Sequence, residues 1–254
     1  MKNQDNLNSE GIIAGRNPVL EALKSKRPPE KIFVARGERE GSIVRIISLA
    51  RELKIPVQEA DRVKLDHLAG ISAHQGVVAY IQQKEYVEVK DILESAKEKG
   101  ESPFVVIADE ITDPHNLGAI IRTAEAAGAH GVIISKNRST GITAAVVKAS
   151  AGAVIHMPVA KVSNIAETIE SLKKEGLWIY GADAEGTSNL FETNLSGSVG
   201  IVVGSEGEGL GRLVKERCDF LLSIPMAGKV NSLNASVAAG ILMYEVVRQK
   251  NIKR

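Results

Sequence analysis

The sequence predicts an α/β protein in two parts: a small N-terminal α/β domain and a larger C-terminal domain built on a parallel sheet. Three observations carry that prediction. From Gly11 onward, short apolar runs alternate with amphipathic segments of helical period. A charge-dense stretch, residues 83–102 (QKEYVEVKDILESAKEKGES), separates an earlier from a later series. The first run beyond it, Phe104–Ala108 (FVVIA), is apolar throughout, as a parallel strand buried on both faces is.

Residues 1–10 have no apolar pattern and read as a flexible lead-in. Pro18 to Leu23 opens a helix with Asn17 as N-cap and Pro18 at the first helical position. Lys31 to Ala35 reads as a strand, Ser42 to Leu53 as a helix, and Pro56 to Gln58 as a short strand. Val63 to Ala69 is a further helix and Gly76 to Gln82 a further strand, giving an α/β unit over residues 11–82. Residues 83–102 form a linker with one amphipathic helix on Val89, Ile92, Leu93 and Ala96. The domain over residues 103–254 then runs in alternation. Strands are expected at Phe104–Ala108, Gly131–Ser135, Val154–Val159, Leu177–Ala182, Val199–Val203 and Phe220–Pro225. Helices are expected at Leu117–Ala127, Ala144–Ser150, Ile165–Lys174 and Leu210–Arg217. A final helix carries Leu233, Val237, Ile241, Tyr244 and Val247 at spacings of three or four, one apolar stripe.

Composition narrows the function classes. Of 254 residues, 44% are hydrophobic and 25% charged, as in a soluble globular protein. No apolar run is long enough to span a bilayer and the N-terminus is polar, so neither membrane insertion nor export is expected. Cys218 is the only cysteine, which excludes disulfide scaffolds and cysteine-based metal sites within one chain and suits a reducing cytoplasm. Net charge is +1; residues 1–82 hold 13 Lys+Arg against 10 Asp+Glu, a faintly basic front half.

Sheets of this class bind ligands at the carboxyl ends of their strands, and three loops at such ends carry unusual residues. After FVVIA, Asp113-Pro114 turns the chain and Asn116 can cap a helix on which Arg122, six residues on, can face the same cleft. After Val199–Val203 comes Gly204-Ser-Glu206-Gly-Glu-Gly-Leu-Gly211, whose glycines let a backbone bend sharply and approach a ligand. Its two carboxylates would repel phosphate, and it matches neither G-x-G-x-x-G nor the P-loop, so a nucleoside without phosphates is the better guest. After FLLSIP, Pro225 and Gly228 break regular structure before a polar cluster, Lys229, Asn231, Ser232 and Asn234, at the start of the last helix. Taken alone, the first and third loops read first as helix caps with exposed polar side chains.

In this order, the three loops resemble the three motifs of the SpoU branch of the SPOUT RNA methyltransferases. The phrases are Asn116-Leu-Gly-Ala-Ile-Ile-Arg122, Gly204-Ser-Glu206-Gly-x-Gly-Leu and Ile224-Pro-Met226-x-Gly-x-x-x-Ser232-Leu233-Asn234. GRNPVLEAL and HQGVVA are similar to the substrate-binding domain of its ribosomal-RNA members, which resembles a ribosomal-protein fold. The resemblance implies a deep trefoil knot in the C-terminal domain, a homodimer, and S-adenosyl-L-methionine as co-substrate with no metal. It implies methyl transfer to a ribose 2′-hydroxyl, with a guanosine of large-subunit (23S) rRNA as target. A transfer RNA target and a non-catalytic RNA-binding assembly factor are the alternatives; a nicotinamide-dependent oxidoreductase fails on the missing dinucleotide fingerprint after Ala108. By the same resemblance, Asn116, Arg122, Glu206, Ser232 and Asn234 form the catalytic set. Gly204, Ile224 and Leu233 contact the cofactor, with Met226 and the backbone around Ala182–Gly186 nearby. Arginine stays protonated, so Arg122 is expected to hold RNA phosphate and stabilise a developing alkoxide rather than remove a proton. Cys218 has no evident activating partner and is not expected to act as a nucleophile.

Overall fold

The computed structural model describes residues 11–25, 28–38, 40–70, 72–81, 85–230 and 232–252. Residues 1–10, Gln82 and Asn231, to which expectations were attached above, lie outside them. The chain divides into two compact units, Met1–Glu85 with Ile142–His156, and Tyr86–Gly141 with Met157–Arg254.

In the first unit, β1 (Ile12–Ala14), α1 (Arg16–Lys24), β2 (Lys31–Ala35), α2 (Ser42–Glu52), β3 (Val57–Ala60), α3 (Arg62–Ala69) and β4 (Val77–Tyr80) follow in order. The sheet runs β1-β4-β2-β3, with β4 antiparallel to both its neighbours and β2 parallel to β3. Phe33, Ala35 and Val78 from the sheet pack with Leu65 and Ala69 of α3 in one buried cluster, while α1 and α2 pack on each other. The start of α1 differs from expectation. Gly15, at φ 106°, is the N-cap and Asn17 lies inside the helix. The backbone N–H of Arg16 is satisfied instead by Gln75 Oε1 at 3.1 Å, a cap supplied from a distant loop that local pattern cannot reveal.

The second unit begins with α4 (Val89–Glu98), whose Ile92 and Ala96 are fully buried, so this helix is a packed part of the unit. β5 (Phe104–Ala108), α5 (Pro114–Ala126) and β6 (Gly131–Ser135) come next. The chain then returns to the first unit. There α6 (Ala144–Ala149) packs on β1, and a 3₁₀ turn at Ala153–Ile155 packs on α1. The run Val154–Val159, expected as a strand, is therefore that turn followed by β7 (Val159–Val162). The left-handed residues Ala151 and Gly152 curl the chain before Val154, and Pro158 offers no N–H to a ladder. α7 (Ile165–Lys174), β8 (Trp178–Ala182), the two-residue β9 (Ser188–Asn189), β10 (Val199–Val203), α8 (Arg212–Arg217), β11 (Phe220–Ser223) and α9 (Ala235–Ile252) complete the unit.

All seven strands of its sheet pair in parallel, in the order β7-β6-β5-β10-β8-β11-β9. The chain leaves β8, crosses at residues 183–187 and lays down β9, yet the much later β11 sits between those two strands. Backbone passes so closely there that a Cβ on Gly186 would lie 2.6 Å from the Leu221 carbonyl oxygen. A late strand placed inside an early loop is consistent with the trefoil knot of SPOUT folds, against the general rule that chains do not thread loops.

α9 departs from the reading of its stripe. Ala235, Ala239, Leu242, Met243 and Val246 are the buried face, whereas Val237 and Tyr244 are 50% and 52% exposed. The helix is apolar nearly all round, so periodicity found one of two stripes, and it was the one left outside the single chain's core.

Candidate active site

The carboxyl ends of β5, β10 and β11 bring the three loops together in the second unit. Asp113 rather than Asn116 caps α5, accepting from the backbone N–H groups of His115 at 3.1 Å and Asn116 at 3.2 Å. That leaves the Asn116 amide free for longer-range work. Its Nδ2 donates to Glu206 Oε1 at 2.9 Å, and its Oδ1 accepts from Asn234 Nδ2, also at 2.9 Å. Asn234 Nδ2 also donates to Glu206 Oε1, which closes a ring of three side chains, one from each motif. Asn234 meanwhile caps α9, its Oδ1 accepting from the N–H groups of Ser236 at 3.0 Å and Val237 at 3.2 Å. The capping role and the site role thus belong to the same side chain.

Beside the ring lies a cleft of about 830 Å³, within the size range of ligand pockets. One wall is the crossing segment after β8, beginning at Ala182; another is the glycine loop from Gly204; Ile224, Met226, Ser232 and Leu233 close it from the third loop. Glu206 and Asn234 line it as well. Every residue expected to touch the cofactor therefore lies on this cleft. The glycine loop is a tight turn: Ser205 and Gly209 exchange backbone hydrogen bonds of 3.1 and 3.0 Å. A Cβ on Gly204 would sit 2.5 Å from Leu210 N, so no other residue fits without moving backbone.

Neither catalytic candidate on α5 lines the cleft itself: Asn116 reaches it through its bonds to Glu206 and Asn234, whereas Arg122 is exposed and does not join the ring. Six residues at 3.6 per turn carry it about 240° round the axis from Asn116, away from the ring. The expectation that both face one cleft does not hold within a single chain.

The cleft is acidic. Among the described residues, Asp183, Glu185, Glu206 and Glu208 line it against one cation, Lys215. Asp183 is largely buried and pairs with Lys215 at 2.6 Å. Burial alone would raise its pKa, but the hydrogen bonds from Lys215 and from the Glu185 backbone N–H outweigh that and hold the carboxyl below its ordinary value. The resemblance places the backbone of residues 182–186 beside the cofactor, but nothing local in the sequence joins the Asp183 side chain to a lysine 32 positions away. A fixed excess of carboxylates repels phosphates and favours a cation. S-adenosyl-L-methionine fits on three counts: an apolar lining from Leu222, Ile224 and Leu233 for a nucleobase, a Cβ-free approach at Gly204, and a field suited to a sulfonium. Cys218 is no nucleophile: burial first, then the charge of Asp219, pushes its thiol up to about 12, and its Sγ donates to the Val214 carbonyl at 3.2 Å. Among the described residues no cluster of three His, Cys, Asp or Glu could hold a metal, and no helix is long and apolar enough to cross a membrane.

Comparison with known proteins agrees over nearly the whole chain. The SpoU rRNA Methylase family model matches residues 103–244, and a model for RNA 2′-O ribose methyltransferase substrate binding matches residues 12–87. A Bacillus subtilis protein named for the TrmH family of tRNA/rRNA methyltransferases is 49% identical over 239 residues, covering 94% of this chain and 96% of its own. A Staphylococcus aureus relative of the same name is 46% identical over 240 residues, with coverage of 94% and 96%. Among solved structures, the SpoU methyltransferase AviRb of Streptomyces viridochromogenes, in complex with AdoMet, matches with a TM-score of 0.78 at 26% identity, covering 96% of this chain and 91% of that one. The AdoMet-bound rRNA methyltransferase of Sinorhizobium meliloti matches with a TM-score of 0.76 at 26% identity, covering 93% and 86%. The chain belongs to the SpoU family and is an RNA methyltransferase that uses S-adenosyl-L-methionine.

Proposed function

We propose that the protein methylates the ribose 2′-hydroxyl of a guanosine in large-subunit (23S) rRNA, in the cytoplasm, as a homodimer. The observation that carries this reading is the closed ring of Asn116, Glu206 and Asn234 at the mouth of the cleft. It holds three loops from three strand ends in one arrangement, and ordered polar side chains are what positioning a nucleophile requires. When bound in the cleft, S-adenosyl-L-methionine supplies an electrophilic methyl group. The chain's own residues orient and activate the hydroxyl. Asn116 and Asn234 fix the loops and present amide groups to the ribose, Ser232 stands exposed on the cleft to do the same, and Glu206 anchors the glycine loop through both amides. Gly204, Ala182, Ile224, Met226 and Leu233 hold the cofactor.

Arg122, exposed and outside its own chain's cleft, acts in this reading at the cleft of a second copy. There its guanidinium grips RNA phosphate and stabilises the developing alkoxide. α5 and α9 pack together, and the exposed Val237 and Tyr244, with the half-buried Ile241 between them, offer the apolar surface such a pairing needs. Residues 11–82 serve as the RNA-binding domain, a reading supported by the match of residues 12–87 to a substrate-binding model. Residues 103–254, apart from the excursion of residues 142–156 into the first unit, form the catalytic domain, with α4 of the segment 83–102 packed into it.

A transfer RNA target is the second reading, favoured by relatives named for both RNAs. The test is transfer of labelled methyl to protein-free large-subunit rRNA and to bulk tRNA in parallel. Alkali-resistant label in rRNA guanosine, lost in Asn116→Ala, is the expected result. Label in tRNA alone replaces the substrate and keeps the chemistry; cofactor binding with transfer to neither RNA, nor to assembling ribosomal particles, leaves a non-catalytic RNA-binding factor.

A further inference from the structure

We propose that α8 is a brace beside the cofactor cleft, and that the Lys215–Asp183 ion pair is its adjustable contact, setting cofactor affinity without entering the chemistry. At one end of α8, the backbone N–H of Gly211 donates to Asp109 Oδ2 at 2.9 Å. Asp109 is 4% exposed and ends the run of β5, so this end is anchored in the core. One turn further along α8, Lys215 Nζ meets Asp183 Oδ2 at 2.6 Å. Asp183 is the knuckle of the crossing segment: its N–H donates to the Leu222 carbonyl at 3.0 Å, its carbonyl accepts from Gly186 at 3.1 Å, and its Oδ1 accepts from the Glu185 N–H at 2.9 Å.

The helix therefore ties the wall after β8 to the strand end that launches the first motif, and the glycine loop runs directly into it. Both partners of the ion pair line the cleft. Breaking the pair leaves a largely buried carboxylate without its cation and frees the wall to move away from the glycine loop opposite. The Asn116–Glu206–Asn234 ring does not depend on it, since none of those residues bonds to Lys215 or Asp183 among the described contacts. Lys215 is thus a positioning residue, acting through Asp183. The proposal rests on this cleft being the cofactor site.

The experiment is calorimetric binding of S-adenosyl-L-homocysteine to the full chain, alongside steady-state methyl transfer, for wild type, Lys215→Met, Asp183→Asn, the double variant and Lys215→Arg. Lys215→Met and Asp183→Asn are each expected to weaken binding roughly tenfold, in the range of coupled neighbours. The double variant should be no worse than the worse single, and Lys215→Arg should stay within about twofold of wild type, because it keeps the charge pair. KM for the methyl donor should rise in step while kcat at saturation holds. Unchanged affinity in both singles overturns the brace, as does a double variant whose loss is the product of the singles. A fall in kcat with affinity intact overturns it too, since that would place Lys215 in the chemistry. Wild type that binds no S-adenosyl-L-homocysteine would remove the cofactor site itself and the brace with it.

Discussion

Gly204→Ala is the sharpest perturbation the structure offers, because the obstacle is backbone. The added Cβ would lie 2.5 Å from Leu210 N, where ordinary contact begins at 3.4 Å. Residues 209–210 would have to retreat by about 0.9 Å, and by more at the Gly209 carbonyl, which is nearer still. Gly209 is also the residue that exchanges hydrogen bonds of 3.1 and 3.0 Å with Ser205, so a retreat breaks the turn. Two net hydrogen bonds at about 1 kcal/mol each, with an overpacking cost of about 1–3 kcal/mol, give roughly 3–5 kcal/mol drawn from the loop that forms one cleft wall. At 1.4 kcal/mol per factor of ten, even the lower figure weakens ligand binding by more than about 100-fold. The control is Gly207→Ala. There the Cβ meets nothing within 4 Å and the cost is only that of a left-handed φ of 93°, about 1–2 kcal/mol. Calorimetric titration with S-adenosyl-L-homocysteine measures both, with circular dichroism confirming that each variant folds. Gly204→Ala within fivefold of wild type, or Gly207→Ala the weaker binder, would refute the argument from close approach.

Substitutions at three further positions separate their roles. Asn234→Ala removes a helix cap and opens the ring, so it should cost about 1–2 kcal/mol of stability and at least a hundredfold in methyl transfer; thermal unfolding and turnover are read together, and stability loss alone would make Asn234 merely a cap. Arg122→Ala should abolish transfer while leaving S-adenosyl-L-homocysteine affinity unchanged, and Arg122→Lys should recover little, since lysine lacks the fork that grips phosphate; near-full activity of the lysine variant would contradict the bidentate role. Cys218→Ala should transfer methyl groups at close to the wild-type rate, and the native thiol should resist alkylation at pH 8, four units below the value of about 12 to which burial pushes it.

Strand and helix placement was legible wherever periodicity and burial agree. Val199–Val203 and Ile165–Lys174 fall on the residues where their patterns place them. Legibility failed where a long-range partner replaces a local one. Gln75 satisfies the start of α1, and Asp113 takes the cap that Asn116 also suits, which releases Asn116 for the ring. It failed again on α9, where an apolar residue occurs on nearly every face and spacing alone does not choose the buried one. The motif residues were legible as three loops in a fixed order, but their joining through Glu206 Oε1, the turn of Arg122 away from the cleft and the acidic wall at Asp183 depend on which strand ends the topology makes neighbours.

The return of residues 142–156 to the first unit makes the two units interleaved rather than consecutive along the chain. A fragment ending at Glu85 would lack α6, which packs on β1, and the 3₁₀ turn, which packs on α1. Gly152 passes so near the start of α1 that a Cβ there would lie 3.3 Å from Pro18 Cα, so the returning segment is fitted closely. Exchange of the first unit between relatives therefore has no single crossover point. A functional exchange has to carry the excursion along with the first 85 residues, and a chimera that swaps only the front piece would join one parent's β1 to the other parent's α6.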